Sequence, residues 1–118
     1  MQVGHKVEIK RSFSGQDLRS YYELGGELPT DNQVPDPLLA SLFSYLLGMK
    51  LPGLGTNYLK QETEYMHAVY IDDVITASVT ITRLRPEKHL VDLETMCVNA
   101  EGQTICSGRA LVFIKDVK

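Results

Sequence analysis

The segment Val34–Gly55, VPDPLLASLFSYLLGMKLPGLG, constrains the fold more than any other part of this chain. From Leu38 to Leu47 apolar side chains go almost all the way round a helical projection. Leu38, Leu39, Ala40, Leu42, Phe43, Tyr45, Leu46 and Leu47 are interrupted only by Ser41 and Ser44. A surface helix carries a broad polar face, so this pattern predicts a helix buried on most of its sides. Asp36 stands where an N-cap is expected, and Pro37 fills the first helical position, where a missing N–H costs nothing. Gly48 is placed to end the helix, and Pro52-Gly53 with Gly55 make a tight exit loop.

Everything after Gly55 reads as strand. Four runs follow, about Asn57–His67, Val74–Leu84, His89–Val98 and Gln103–Ile114, divided by turns at Asp72-Asp73, Arg85-Pro86-Glu87 and Asn99–Gly102. Ile75, Ala77, Val79 and Ile81 alternate with Thr76, Ser78, Thr80 and Thr82, the pattern of a half-buried antiparallel strand. Ahead of the helix, Val7 and Ile9 alternate with Lys6, Glu8 and Lys10 as a short strand. Ser14 and Asp17 form a capping-box-like start for a second helix, whose apolar stripe is Leu18, Tyr21, Tyr22 and Leu24 and whose stop is Gly25-Gly26. A polar loop, Glu27–Gln33, leads into the apolar helix.

At 118 residues the chain suffices for one domain with a modest core. A net charge of −3 and the lack of a basic stripe with interleaved aromatics exclude a nucleic-acid footprint. The apolar run is far short of a membrane span and Met1–Phe13 has no signal-peptide core, so a cytoplasmic protein is expected. Cys97 and Cys106 are predicted to lie on neighbouring strands as buried free thiols. With no CxxC pairing and scattered histidines they do not make a zinc site.

One buried helix followed by a four-strand antiparallel meander, with the first strand added at its edge, is an α+β arrangement and suggests a sheet wrapped around a helix. Three stretches carry a resemblance to a known family. LLASLFSYLLGMKLPGLGTNYLKQ (Leu38–Gln61) resembles the central helix, Pro-Gly loop and following strand of the MaoC-like hydratases, which include the (R)-specific enoyl-CoA hydratases. AVYIDDVITASVTI (Ala68–Ile81) resembles their strand-turn segment, and FSGQDLRSYYELGG their first helix. The resemblance covers nearly the whole chain and implies a single hot-dog domain over residues 1–118, paired as a homodimer or with a second hot-dog subunit. It also implies chemistry on acyl thioesters of coenzyme A or acyl carrier protein, with no cofactor beyond that carrier.

In that family an Asp and a His on a D-x-N-P-x-H motif activate water for addition to the enoyl double bond, sharing the proton transfers. A backbone N–H at the start of the central helix holds the thioester carbonyl, where enolate charge develops. This chain departs from the motif. Counting from Leu24-Gly25-Gly26, the carboxylate position falls on Glu27 and the imidazole position on Asn32. The stretch that normally separates motif and helix is missing, and the usual His-Gly before the helix reads Pro35-Asp36. Asn32 can orient a water through its amide but carries no proton at neutral pH. Asp31 is the reserve carboxylate, with a turn former as its plainer role. Asp36 is at once a candidate carboxylate and an ordinary helix cap, and its N–H occupies the implied oxyanion-donor position.

By the same resemblance Gly53, Gly55 and Asn57 border the thioester cleft, and Tyr45 narrows the acyl tunnel or reaches a dimer partner. His67 is the one histidine at a plausible cavity wall, although nothing near it in sequence supplies a relay. Three functions fit: a hydratase or dehydratase with Glu27 or Asp31 as base, a non-catalytic half of a heterodimer whose partner carries the intact motif, and a thioesterase in which Asp36 guides the hydrolytic water.

Overall fold

The alternation of apolar and polar residues through Ile75–Arg85 builds the strand that anchors the core. In this computed structural model, which describes residues 2–23, 32–51, 53 and 56–114, that strand is β3. The elements in chain order are β1 (Lys6–Arg11), α1 (Gly15–Glu23), α2 (Asp36–Met49), β2 (Asn57–Tyr65), β3, β4 (Leu90–Asn99) and β5 (Thr104–Phe113), with a 3-10 turn at Pro86–Lys88 between β3 and β4. The strands form one antiparallel sheet in the order β1-β3-β4-β5-β2.

The inward positions of the sheet are Ile75, Ala77, Val79 and Ile81 on β3, Val91, Leu93 and Cys97 on β4, and Cys106, Ala110 and Val112 on β5, all buried. Helix α2 lies across this face, against β3 and β1. It buries Leu39, Leu42, Phe43, Leu46 and Leu47, a stripe at helical spacing. A sheet curved round one apolar helix is the hot-dog arrangement expected from the sequence.

Several local expectations are corrected. Only one side of α2 is buried in the protomer, because Ser41, Ser44, Tyr45 and Met49 form an exposed strip. The two serines mark the face that looks away from the sheet. Helix α2 also begins one residue early. Pro35 is the N-cap, extended at φ −67° and ψ 147°, and its carbonyl accepts the Leu38 N–H at 3.0 Å, so Asp36 is the first helical residue and not the cap. Gly48 lies inside the helix, which continues to Met49. The exit is closed instead by the amides of Leu51 and Gly53, which donate to Leu46 and Leu47 at 2.8 and 3.0 Å, and Gly53 reaches that position at φ +98°.

The meander has three strands and not four. β2 does not pair with β3, and sits at the far edge against β5. The segment between them crosses the end of the sheet, and a bulge makes that crossing possible. Cys97 opposes Cys106 while Val98 opposes Thr104, so Ile105 is the extra residue. Its carbonyl accepts the N–H groups of Met66 and His67 at 2.8 and 3.2 Å as the chain leaves β2. Further on, Val69 accepts the Val34 N–H at 2.7 Å and tethers the approach to α2.

At α1 the expected capping box is formed. Ser14 Oγ accepts the Asp17 N–H at 3.1 Å, and the Asp17 carboxylate accepts the Ser14 N–H at 2.8 Å. Leu18 of α1 is buried in the core. Leu24, Gly25 and Gly26, read as the end of this helix, fall outside the described residues.

Candidate active site

Two prolines shape the start of α2. A helix normally presents several free N–H groups in its first turn. Here Pro35 and Pro37 have none, and the Leu38 N–H is already bonded to Pro35. The amide of Asp36 therefore remains as the donor of the opening turn, with no acceptor among the described residues. It lies at the positive end of the helix dipole, where a developing anion is stabilised. Asp36 is an exposed residue of the protomer.

Three further groups line up across the sheet. β2 ends at Tyr65, which is directly opposite Cys106, and Cys106 is directly opposite Cys97. Tyr65, Cys106 and Cys97 therefore form a row across three strands on one face of the sheet. Burial holds the Tyr65 phenol above the usual range, and the charge of the nearby Asp36 carboxylate adds to this. The hydrogen bond to Cys97 keeps the proton on the Cys106 thiol, whose ionisation the Asp36 charge also opposes, and it makes Cys97 the more acidic of the pair. Both cysteines are buried free thiols, as expected from the sequence.

The residues singled out in the sequence do not all gather here. Asn32, four residues before Asp36, adopts the left-handed conformation at φ +60°, its side chain is exposed, and its carbonyl accepts the Ile71 N–H at 3.1 Å. Asparagine tolerates that region better than most residues, which suits a tight turn into the helix. Glu27, Asp31 and Gly55 lie outside the described residues. Gly53 and Asn57 are at the opposite end of α2, about 20 Å from Asp36 for a helix of this length, and do not join it within the protomer. Tyr45 is 43% exposed on the outer strip of α2, so it does not narrow any space inside the protomer. His67 follows Tyr65, but its ring is exposed and its Nδ1 lies 3.0 Å from the Met66 carbonyl. Tyr65 was missed in the sequence because its place opposite Cys106 depends on β2 pairing with β5.

This fold defines a hot-dog protein whose central helix opens on an amide with no acceptor among the described residues. No protein-family model matches the chain. It is 30% identical to the (R)-specific enoyl-CoA hydratase of Aeromonas caviae over 126 positions, which cover 95% of this chain and 94% of that one. It is 26% identical over 130 positions to the mitochondrial 3-hydroxyacyl-[acyl-carrier-protein] dehydratase FERN of Solanum lycopersicum, covering 97% of this chain and 78% of the relative. Both alignments run over more positions than the chain has residues, so each relative carries residues that this chain lacks. The solved (R)-hydratase from A. caviae involved in PHA biosynthesis superimposes with a TM-score of 0.87 at 30% identity, covering 97% of each chain. The chain belongs to the MaoC-like (R)-specific enoyl-CoA hydratase family.

Proposed function

We propose that this protein adds water to, or removes it from, the carbon–carbon double bond of an acyl thioester carried by coenzyme A or acyl carrier protein. The observation that carries the reading is the Asp36 amide, the donor of the first turn of an apolar helix, which has no acceptor among the described residues. A thioester carbonyl accepting that N–H becomes an enolate oxygen as water adds, and a donor placed there lowers the barrier because the charge develops there. Glu27, Asp31 and Asp36 are the candidate carboxylates for taking the proton of water, and the amide of Asn32 orients that water. No cofactor beyond the carrier enters this chemistry.

The protein works as a dimer in this reading. The outer strip of α2, with Tyr45 and Met49 exposed at 43% and 57%, and the edge strand β2 are the surfaces a second hot-dog subunit covers. A cytoplasmic location fits the facing cysteines, which remain thiols in a reducing compartment. Asn32, at the position implied for an imidazole, favours a second reading: a non-catalytic subunit that completes the substrate tunnel of a partner.

The test is hydration of crotonyl-CoA by the purified chain alone, followed as loss of the conjugated enoyl absorbance, beside Glu27→Gln, Asp31→Asn and Asp36→Asn. Turnover by the wild type that one substitution abolishes supports the hydratase and names its base. Binding of CoA thioesters with no change in absorbance, across several acyl lengths, favours the subunit reading. Release of free thiol without hydration identifies a thioesterase.

A further inference from the structure

Cys97 and Cys106 take no part in the chemistry proposed above, yet the fold sets them face to face. We infer that the two thiols are a redox pair, closing to a disulfide between β4 and β5 when hydrogen peroxide reaches them. A dithiol reductant returns the electrons by exchange and reopens the pair. This pairing is independent of the hydratase reading.

Three observations carry it. Cys97 and Cys106 are directly opposite in the antiparallel register, and both are buried on the inner face. Directly opposed residues of an antiparallel pair have Cα atoms about 4.5–5.5 Å apart, inside the range of about 4.4–6.8 Å that a disulfide spans. The register also breaks immediately beyond the pair, where Ile105 is the extra residue. A bulge bends its strand and interrupts the ladder locally, so the sulfurs can close on each other without moving the whole sheet. Finally, the two thiols are free and hydrogen-bonded to one another.

That hydrogen bond divides the work. Burial by itself keeps a thiol protonated and inert. Here the Cys106 S–H donates to Cys97, which holds the Cys97 thiol below its usual range and keeps the proton on Cys106. Cys97 is therefore the sulfur that attacks and Cys106 the one that resolves. As the Cys97 sulfur bonds to one peroxide oxygen, the O–O bond breaks and the leaving hydroxide departs with the Cys97 proton as water. The Cys106 sulfur then attacks the sulfur of the sulfenic acid, the S–O bond breaks, and the departing hydroxide takes the Cys106 proton as a second water. The two thiols lose two electrons and the peroxide gains them. On the β2 side the row ends at Tyr65, which is exposed, so one side chain separates Cys106 from solvent along the row.

The test treats the folded wild-type protein with hydrogen peroxide, then measures its intact mass and counts free thiols after unfolding. The expected result is loss of both thiols, a mass lower by two hydrogens, no cross-link between chains, and full recovery of the thiols with dithiothreitol. Cys106→Ser, which lacks the resolving sulfur, is expected to gain oxygen at Cys97, whereas Cys97→Ser keeps its Cys106 thiol. An unchanged melting temperature verifies that each variant folds, and should either fail, the wild-type mass and thiol count decide alone. Survival of both thiols in peroxide that converts the exposed Met49 and Met66 to sulfoxides overturns the assignment. A disulfide that forms only in urea, or only between chains, overturns it as well.

Discussion

Pro35 caps α2 and its carbonyl accepts the Leu38 N–H at 3.0 Å, which leaves the Asp36 amide as the donor of the first turn, with no acceptor among the described residues.

The amide and the carboxylate of Asp36 can be separated by substitution. Proline is favoured at the first helical position, so Asp36→Pro deletes the N–H while leaving a compatible helix start. Asp36→Asn deletes the charge and keeps the N–H. Removing a donor to a developing oxyanion costs about 100- to 1,000-fold in kcat, so Asp36→Pro is expected to fall below Asp36→Asn by about that factor. Equal rates for the two variants would show that the amide does not hold the reacting carbonyl.

Gly108 is required by the packing of β2 on β5. A Cβ there would collide with the backbone of Glu62 and lie 2.9 Å from the Thr63 Cα, and neither is the end of a flexible side chain. Gly108→Ala must push the edge strand away, which is expected to cost about 1–3 kcal/mol. Urea denaturation of wild type and variant measures it directly.

The capping box of α1 makes part of the stability pH-dependent. The Ser14 N–H bonded to the Asp17 carboxylate, with the Ser14 hydroxyl and the Arg11 charge adding to it, holds that carboxyl below the usual aspartate range. A depressed folded value means that the contribution is whole above about pH 4, the unfolded value, and is lost as pH falls through the lower folded one. Asp17→Asn should remove this part of the acid dependence of the melting temperature. Ser14→Ala, which deletes the cap itself, is expected to cost about 1 kcal/mol at neutral pH.

The outer strip of α2 is expected to be a subunit contact. Tyr45 and Met49 are exposed and one helical turn apart, so replacing both by Lys costs the protomer little and places two charges on the strip. Sedimentation should show a dimer for the wild type and a monomer of unchanged helical content for Tyr45→Lys/Met49→Lys. A double variant that stays dimeric would place the contact elsewhere.

Inside the helix, Phe43 is at 0% exposure and on the opposite side from Tyr45. Phe43→Ala is therefore expected to cost about 3–5 kcal/mol, measured by the same denaturation, while Tyr45→Ser should stay close to wild type in the monomer.

The sequence by itself determined what local chemistry controls. The apolar run of Leu38–Leu47, the alternation of Ile75–Ile81 and the Ser14–Asp17 pair each specify their element through neighbours within a few residues, and all three elements form, although α2 buries one side and not most of them. It also determined that Pro35 and Pro37 carry no donors, which makes the Asp36 amide the donor of the first turn once the helix start is located. The tertiary structure decided the rest, because each remaining question turns on residues far apart in the chain. Periodicity identifies β2 but not its neighbour, and pairing with β5 rather than β3 is what sets Tyr65 opposite Cys106. Which side of a nearly all-apolar helix faces the sheet was likewise undetermined by hydropathy, since Tyr45 and Phe43 look alike on that scale. The packing against β1 and β3 separates them, burying Phe43 and leaving Tyr45 outside.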